Sequence, residues 1–99
     1  MSQDDLRSRL ESEIERAPWT WLQPHAEREA IIVVGPDLGL LDVACAVAHD
    51  EHNQVEKWLE DKSLTKPTVD QLRAWDRDPG QEFQFIILQP FVPIQALGH

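Results

Sequence analysis

Apolar positions along the chain fall into short blocks whose spacing changes from one block to the next. Leu6, Leu10 and Ile14 repeat every four residues, which predicts a helix over residues 4–16 with a narrow apolar stripe and a charged remainder. Ala17-Pro18 interrupts it. Thr20 and Gln23 then have the spacing of a capping box, which predicts a short helix over about 21–28 with Pro24 near its first turn. AIIVV at residues 30–34 is a β-branched run closed by Gly35-Pro36, and because both of its faces call for burial it reads as an inner strand.

From Leu40 the string LLDVACAVAH is apolar nearly all round and rich in helix formers, so it predicts a helix deep in the core. A polar turn comes next, with Asp50 placed to cap the next helix. Val55, Trp58 and Leu59, at i, i+3 and i+4, lay one apolar stripe along that helix, over about residues 51–62. Thr68 and Gln71 form a second capping box and open a helix through Val69, Leu72 and Trp75, which Asp78-Pro79-Gly80 ends. In EFQFIILQPFVPIQ, residues 82–95, Phe83, Phe85 and Ile87 alternate as in a strand. Pro90 and Pro93 cannot donate to a ladder, so the distal part is expected as an edge or a bulged arm.

This order of elements is that of a winged helix with an extra helix at 69–77 inserted in the wing. The expectation is a small winged-helix-like α+β single domain, with N-terminal helices, a helix-turn-helix pair and a few-stranded antiparallel sheet. Residues 1–17 are expected as a weakly docked amphipathic helix, 18–96 as the domain and 97–99 as a tail. The chain shows no internal repeat.

Ninety-nine residues allow one modest core. A single cysteine excludes an internal disulfide, and Cys45, between two alanines, reads as a small buried hydrophobe in a reducing cytoplasm. The string MSQDDLRSRLESEIER has no apolar signal region, and no apolar run approaches bilayer-crossing length, so a soluble cytoplasmic chain without a membrane partner is expected. The formal net charge of −9 opposes approach to polyanions. Asn53 and Gln54 stand where a recognition helix would meet base edges, yet Glu56, Glu60 and Asp61 outnumber Lys57 and Lys62 on that helix. Nucleic acid is therefore not expected as a partner, and a winged-helix transcription factor is the disfavoured alternative.

Candidate chemistry is sparse. His49 and His52 are three apart, and on one helical turn they would share a divalent metal with a carboxylate from elsewhere, but HDEH lacks the third and fourth ligands that make such a spacing diagnostic. The plainer reading is a polar turn between two helices. His25 beside Pro24 has Glu27 and Glu29 near it for acid–base work, against the plainer reading of a partly buried helix residue. None of Ser2, Ser8, Ser12 and Ser63 sits in a strand-turn-helix elbow, no glycine-rich loop is present, and Glu11, Glu13 and Glu15 read as a solvated face. No catalytic residue, cofactor or metal is assigned. Trp58 and Trp75 lie on apolar stripes and read as core. Trp19 and Trp21 are less committed by pattern: core packing is the favoured reading, and the alternative makes them, with Pro90, Phe91 and Pro93 of the terminal arm, the candidate partner-binding residues, the arm being able to pair with a neighbouring edge.

The strings WLQPHAEREAIIVV, LLDVACAVAHDEHNQVEKWLEDKSLTKPT, QLRAW and IILQPFVPIQ together resemble the bacterial family called domain of unknown function 2288, over roughly residues 19–95. The resemblance implies a small bacterial cytoplasmic protein and carries no catalytic residue to any position here. Gly39 stands where an acidic residue is expected to open the core helix, and the two histidines of HDEH are particular to this chain. The function expected is a non-enzymatic, acidic protein-interaction module that binds a protein partner or itself. The alternative is a small metalloprotein or enzyme centred on His49 and His52 or on His25.

Overall fold

Strand alternation and helix stripes divide the apolar residues into two sets, one for each face of a central sheet. The computed structural model describes residues 3–88 and 90–97. In chain order these form α1 (Gln3–Glu13), β1 (Glu15–Pro18), α2 (Trp19–Glu27), β2 (Ile31–Val34), α3 (Leu40–Ala48), α4 (His52–Glu60), β3 (Leu64–Thr65), α5 (Val69–Arg77), β4 (Glu82–Phe85) and β5 (Val92–Ala96). Ile31 of β2, Phe83 and Phe85 of β4, and Val92 and Ile94 of β5 pack with Trp19 and Leu22 of α2, and Leu72 and Trp75 of α5 close that layer. On the other face Val34, Leu64 and Ile86 pack with Leu10 of α1 and with Leu40, Val43 and Ala44 of α3, and Val55 and Trp58 of α4 cover them. The result is one compact α+β domain, its sheet sandwiched between helices.

The sheet corrects the expected few-stranded antiparallel arrangement. It has five strands in the order β1-β4-β5-β2-β3. All neighbours are antiparallel except β2 and β5, which run parallel with Ile31 opposite Val92 and Val33 opposite Ile94. Strands β3 and β4, which a wing would join directly, are held apart by β2 and β5. The parallel pair arises because the terminal segment is a hairpin: β4 turns through a Leu88–Phe91 bridge, and β5 returns beside β2. The expected edge arm is thus an inner strand. Pro93 is tolerated there because the bond it cannot give faces the end of β4. Ile86 N–H donates to the Pro93 carbonyl at 3.3 Å, no bond returns, and β4 stops at Phe85.

At the other end of the chain, α1 stops at Glu13 rather than 16, and residues 15–18 form an edge strand on β4 instead. Leu10 is buried against α3, and an Arg7 guanidinium N–H donates to Asp42 on α3 at 3.0 Å. The second helix starts at Trp19, two residues earlier than expected, with Pro18 as its N-cap and no side-chain cap. The Trp19 N–H instead donates to the Gln81 carbonyl at 2.9 Å, and Pro24 falls inside the helix. The Thr68 box forms as expected, with Gln71 N–H donating to the Thr68 hydroxyl at 3.1 Å and Thr68 N–H to the Gln71 side chain at 2.9 Å. Of the expected tail, residues 98 and 99 lie outside the described residues, while Leu97 N–H donates to the Glu82 carbonyl.

Three helices end in the same way. After α2, α3 and α4 the chain passes through Glu29, Asp50 and Lys62, each with φ between 54° and 63°. In each case the left-handed residue and its successor donate back to the last turn: Glu29 to Ala26 and Ala30 to His25, Asp50 to Val47 and Glu51 to Ala46, Lys62 to Leu59 and Ser63 to Trp58. These are Schellman caps with side chains where glycine is usual. Asp50 therefore closes α3 rather than capping α4, whose N-cap is Glu51.

Candidate partner-binding groove

On the α3–α4 side of the sheet the core does not close completely. The positions of α3 that face the gap, Val43, Ala46 and Val47, carry small side chains, and Val55 and Leu59 of α4 stand across from them without filling the space. A groove of about 540 Å³ results, floored by Ile32 of β2, Leu64 of β3 and Pro93 of β5. Phe91, just before β5, forms one wall. Leu59 and Phe91 are 50% and 44% exposed, which is high for large apolar side chains beside a packed core.

The rim is polar and mostly acidic. Glu29, Asp50, Glu51 and Glu56 line it, with Lys66, Thr65 and His52. Glu29 and Asp50 are two of the left-handed capping residues, so their backbones are fixed by the Schellman bonds. The edge beside the groove offers little to an added strand, because β3 has two residues and Pro67 comes soon after.

The residues singled out by sequence are dispersed. His49 is the C-cap of α3 and His52 opens α4, so the left-handed Asp50 separates them and they do not share a helical turn. Among the described residues no three His, Cys, Asp or Glu side chains converge as a metal site. His25 is half-buried, and its Nδ1 accepts from the Arg28 guanidinium at 2.8 Å, since arginine can only donate. Its neighbour Glu29 lies at the groove rim. Trp19, 1% exposed, is a core residue and offers nothing to a partner. Trp21 is 70% exposed, on a helix that covers the face of the sheet opposite the groove. Pro90 is exposed, Phe91 lines the groove, and the ring of Pro93 is buried in its floor. Trp58 and Trp75 are half-buried rather than enclosed.

Sequence reading missed Val55, Leu59 and the acidic rim as a site. One signal was present: the stripe of α4 carries Leu59 beyond what the helix buries.

A mixed sheet covered by helices on both faces, with an apolar groove left open under an acidic rim, defines a small α+β domain with a place for a ligand. The chain belongs to the DUF2288 family of proteins of unknown function, whose family model matches residues 5–96. Its fold is similar to that of PA1075 from Pseudomonas aeruginosa, solved in solution by NMR. The two chains are 31% identical with a TM-score of 0.79, over 96% of this chain and 87% of that one. No curated protein matches. Among the described residues no helix is long and apolar enough to cross a membrane.

Proposed function

We propose that the protein is a non-enzymatic interaction module of the bacterial cytoplasm that takes apolar side chains of a partner protein into the α3–α4 groove. The observation that carries this reading is that Leu59 and Phe91, large and half-exposed, both line one apolar groove. Burying two such side chains against a partner supplies the desolvated centre that protein interfaces rely on. Self-association is the weaker form of the idea, since a chain of net charge −9 with an acidic rim repels its own copy.

In this reading the helix-turn-helix order of α3 and α4 serves a groove rather than a DNA-reading face. Carboxylates predominate where phosphates would have to approach, and the apolar side of α4 is committed to the groove. The test compares wild type with a Leu59→Asp/Phe91→Asp double variant, both verified as folded by circular dichroism, as baits in extract from the native cell. A partner retained by the first and released by the second is expected. Retention of the same partner by both, or a strict monomer that retains nothing, contradicts the reading.

A further inference from the structure

Resting on that groove as the partner site, we propose that its occupant is a short cationic amphipathic helix, apolar on the face that enters and lysine- or arginine-rich along the flanks that meet the rim. Two observations lead there. The first is the rim, where Glu29, Asp50, Glu51 and Glu56 stand against Lys66 alone among the lysines and arginines. Such a field attracts a basic segment and repels an acidic one.

The second is the placement of two of those carboxylates. Glu29 and Asp50 sit just past the C-termini of α2 and α3, in left-handed backbone. A non-glycine side chain is disfavoured in that conformation, and a negative charge is disfavoured at that end of a helix, where the dipole is itself negative. Glu29 thus runs against local stability twice over, and Asp50, whose side chain tolerates left-handed backbone, does so once through its charge, both at the groove. The third left-handed cap, Lys62 after α4, has the sign that a helix C-terminus favours and does not line the groove. Where a chain breaks a local rule, a function is the expected compensation. Cations of a partner, placed beside the two helix C-termini and their carboxylates, relieve these repulsions. A helix rather than a strand is favoured because β3 provides only two residues of ladder.

The test uses the full chain and two labelled peptides of about four helical turns, one of leucine and lysine and one of leucine and glutamate in the same pattern. Fluorescence anisotropy is read for wild type, for a rim variant (Glu29→Gln, Asp50→Asn, Glu51→Gln, Glu56→Gln), and for a distant variant with the same loss of charge (Glu11→Gln, Glu13→Gln, Glu15→Gln, Glu82→Gln). The lysine peptide is expected to bind saturably, to weaken about tenfold or more on the rim variant, to change by less than about threefold on the distant one, and to weaken with added salt. The glutamate peptide is expected not to bind. Equal binding of both peptides, or equal weakening by both variants, overturns the cationic inference while leaving the groove in place. A Leu59→Ser/Phe91→Ser variant that binds as wild type does overturns the groove itself. Occupation by a second copy of the chain instead, seen as a concentration-dependent dimer that the lysine peptide fails to dissociate, overturns the inference as well.

Discussion

The indole Nε1 of Trp19 donates to Oδ1 of Asp76 at 2.8 Å, tying the start of α2 to the last turn of α5 across the sheet face opposite the groove. The same oxygen accepts from the Gln23 side chain at 3.1 Å. Beneath this bond the Trp19 ring lies 4.9 Å from Trp75 and 5.9 Å from Phe83, tilted against each. A buried indole needs a partner for its N–H, and Asp76 supplies it from the solvent side. Asp76→Ala is expected to lower stability by about 1–3 kcal/mol, the cost of a buried donor left unpaired, and Asp76→Asn by less because an acceptor remains. Urea denaturation midpoints of the two variants measure the difference.

The left-handed caps give a second expectation. Glycine removes the Cβ penalty at Glu29, Asp50 and Lys62, so each replacement is expected to raise stability by about 0.5–1 kcal/mol, after the entropy that glycine adds to the unfolded chain. Glu29→Gly should gain most, because it also removes a charge from a helix C-terminus and has none of the tolerance for this conformation that aspartate has. Lys62→Gly should leave peptide binding unchanged, whereas Glu29→Gly and Asp50→Gly should weaken it. Thermal melts paired with anisotropy separate the two effects.

Thr68 and Thr20 form a matched pair for testing caps. Thr68→Ala breaks the reciprocal box with Gln71 and is expected to cost about 1 kcal/mol. Thr20→Ala is expected to change stability by less than about 0.5 kcal/mol, since Thr20 lies exposed inside α2 and caps nothing. Chemical denaturation of the two variants settles the order.

The tryptophans and phenylalanines of the two layers should differ in the same way. Phe83 is enclosed between Trp19 and Trp75, and Phe83→Ala is expected to cost about 3–5 kcal/mol. Trp58 is half-buried on α4, so Trp58→Ala is expected to cost about 2 kcal/mol. A larger loss at Trp58 than at Phe83 in equilibrium unfolding would place the tighter core under α4.

What the sequence made legible was local. The β-branched run at 31–34, the stripe and box of α5, and the polar break between α3 and α4 all carry their own signal within a few residues. What it concealed was set by distant pairing. Glu15–Pro18 has no strand pattern and becomes β1 only because β4 lies beside it. Residues 82–95 read as one strand because apolar residues continue straight through the turn, and only the place reserved beside β2 separates β4 from β5. Asp50 looks like an N-cap, since aspartate suits both that role and left-handed backbone. The groove was hidden for the same reason: Leu59 and Phe91 are far apart in the chain, and nothing local says that they face one space. Trp19 and Trp21, alike by pattern, were divided by the turn of α2 into a buried residue and an exposed one.

The most direct measurement is an amide NMR titration of the full chain with the leucine–lysine peptide. Saturable shifts are expected for residues of α3 and α4 between Val43 and Leu59, for Leu64 to Lys66 and for Phe91, with the Trp21 indole unmoved. Shifts centred on Trp21 and α2, or spread over the acidic surface of α1 without saturation, would contradict the groove as the binding site.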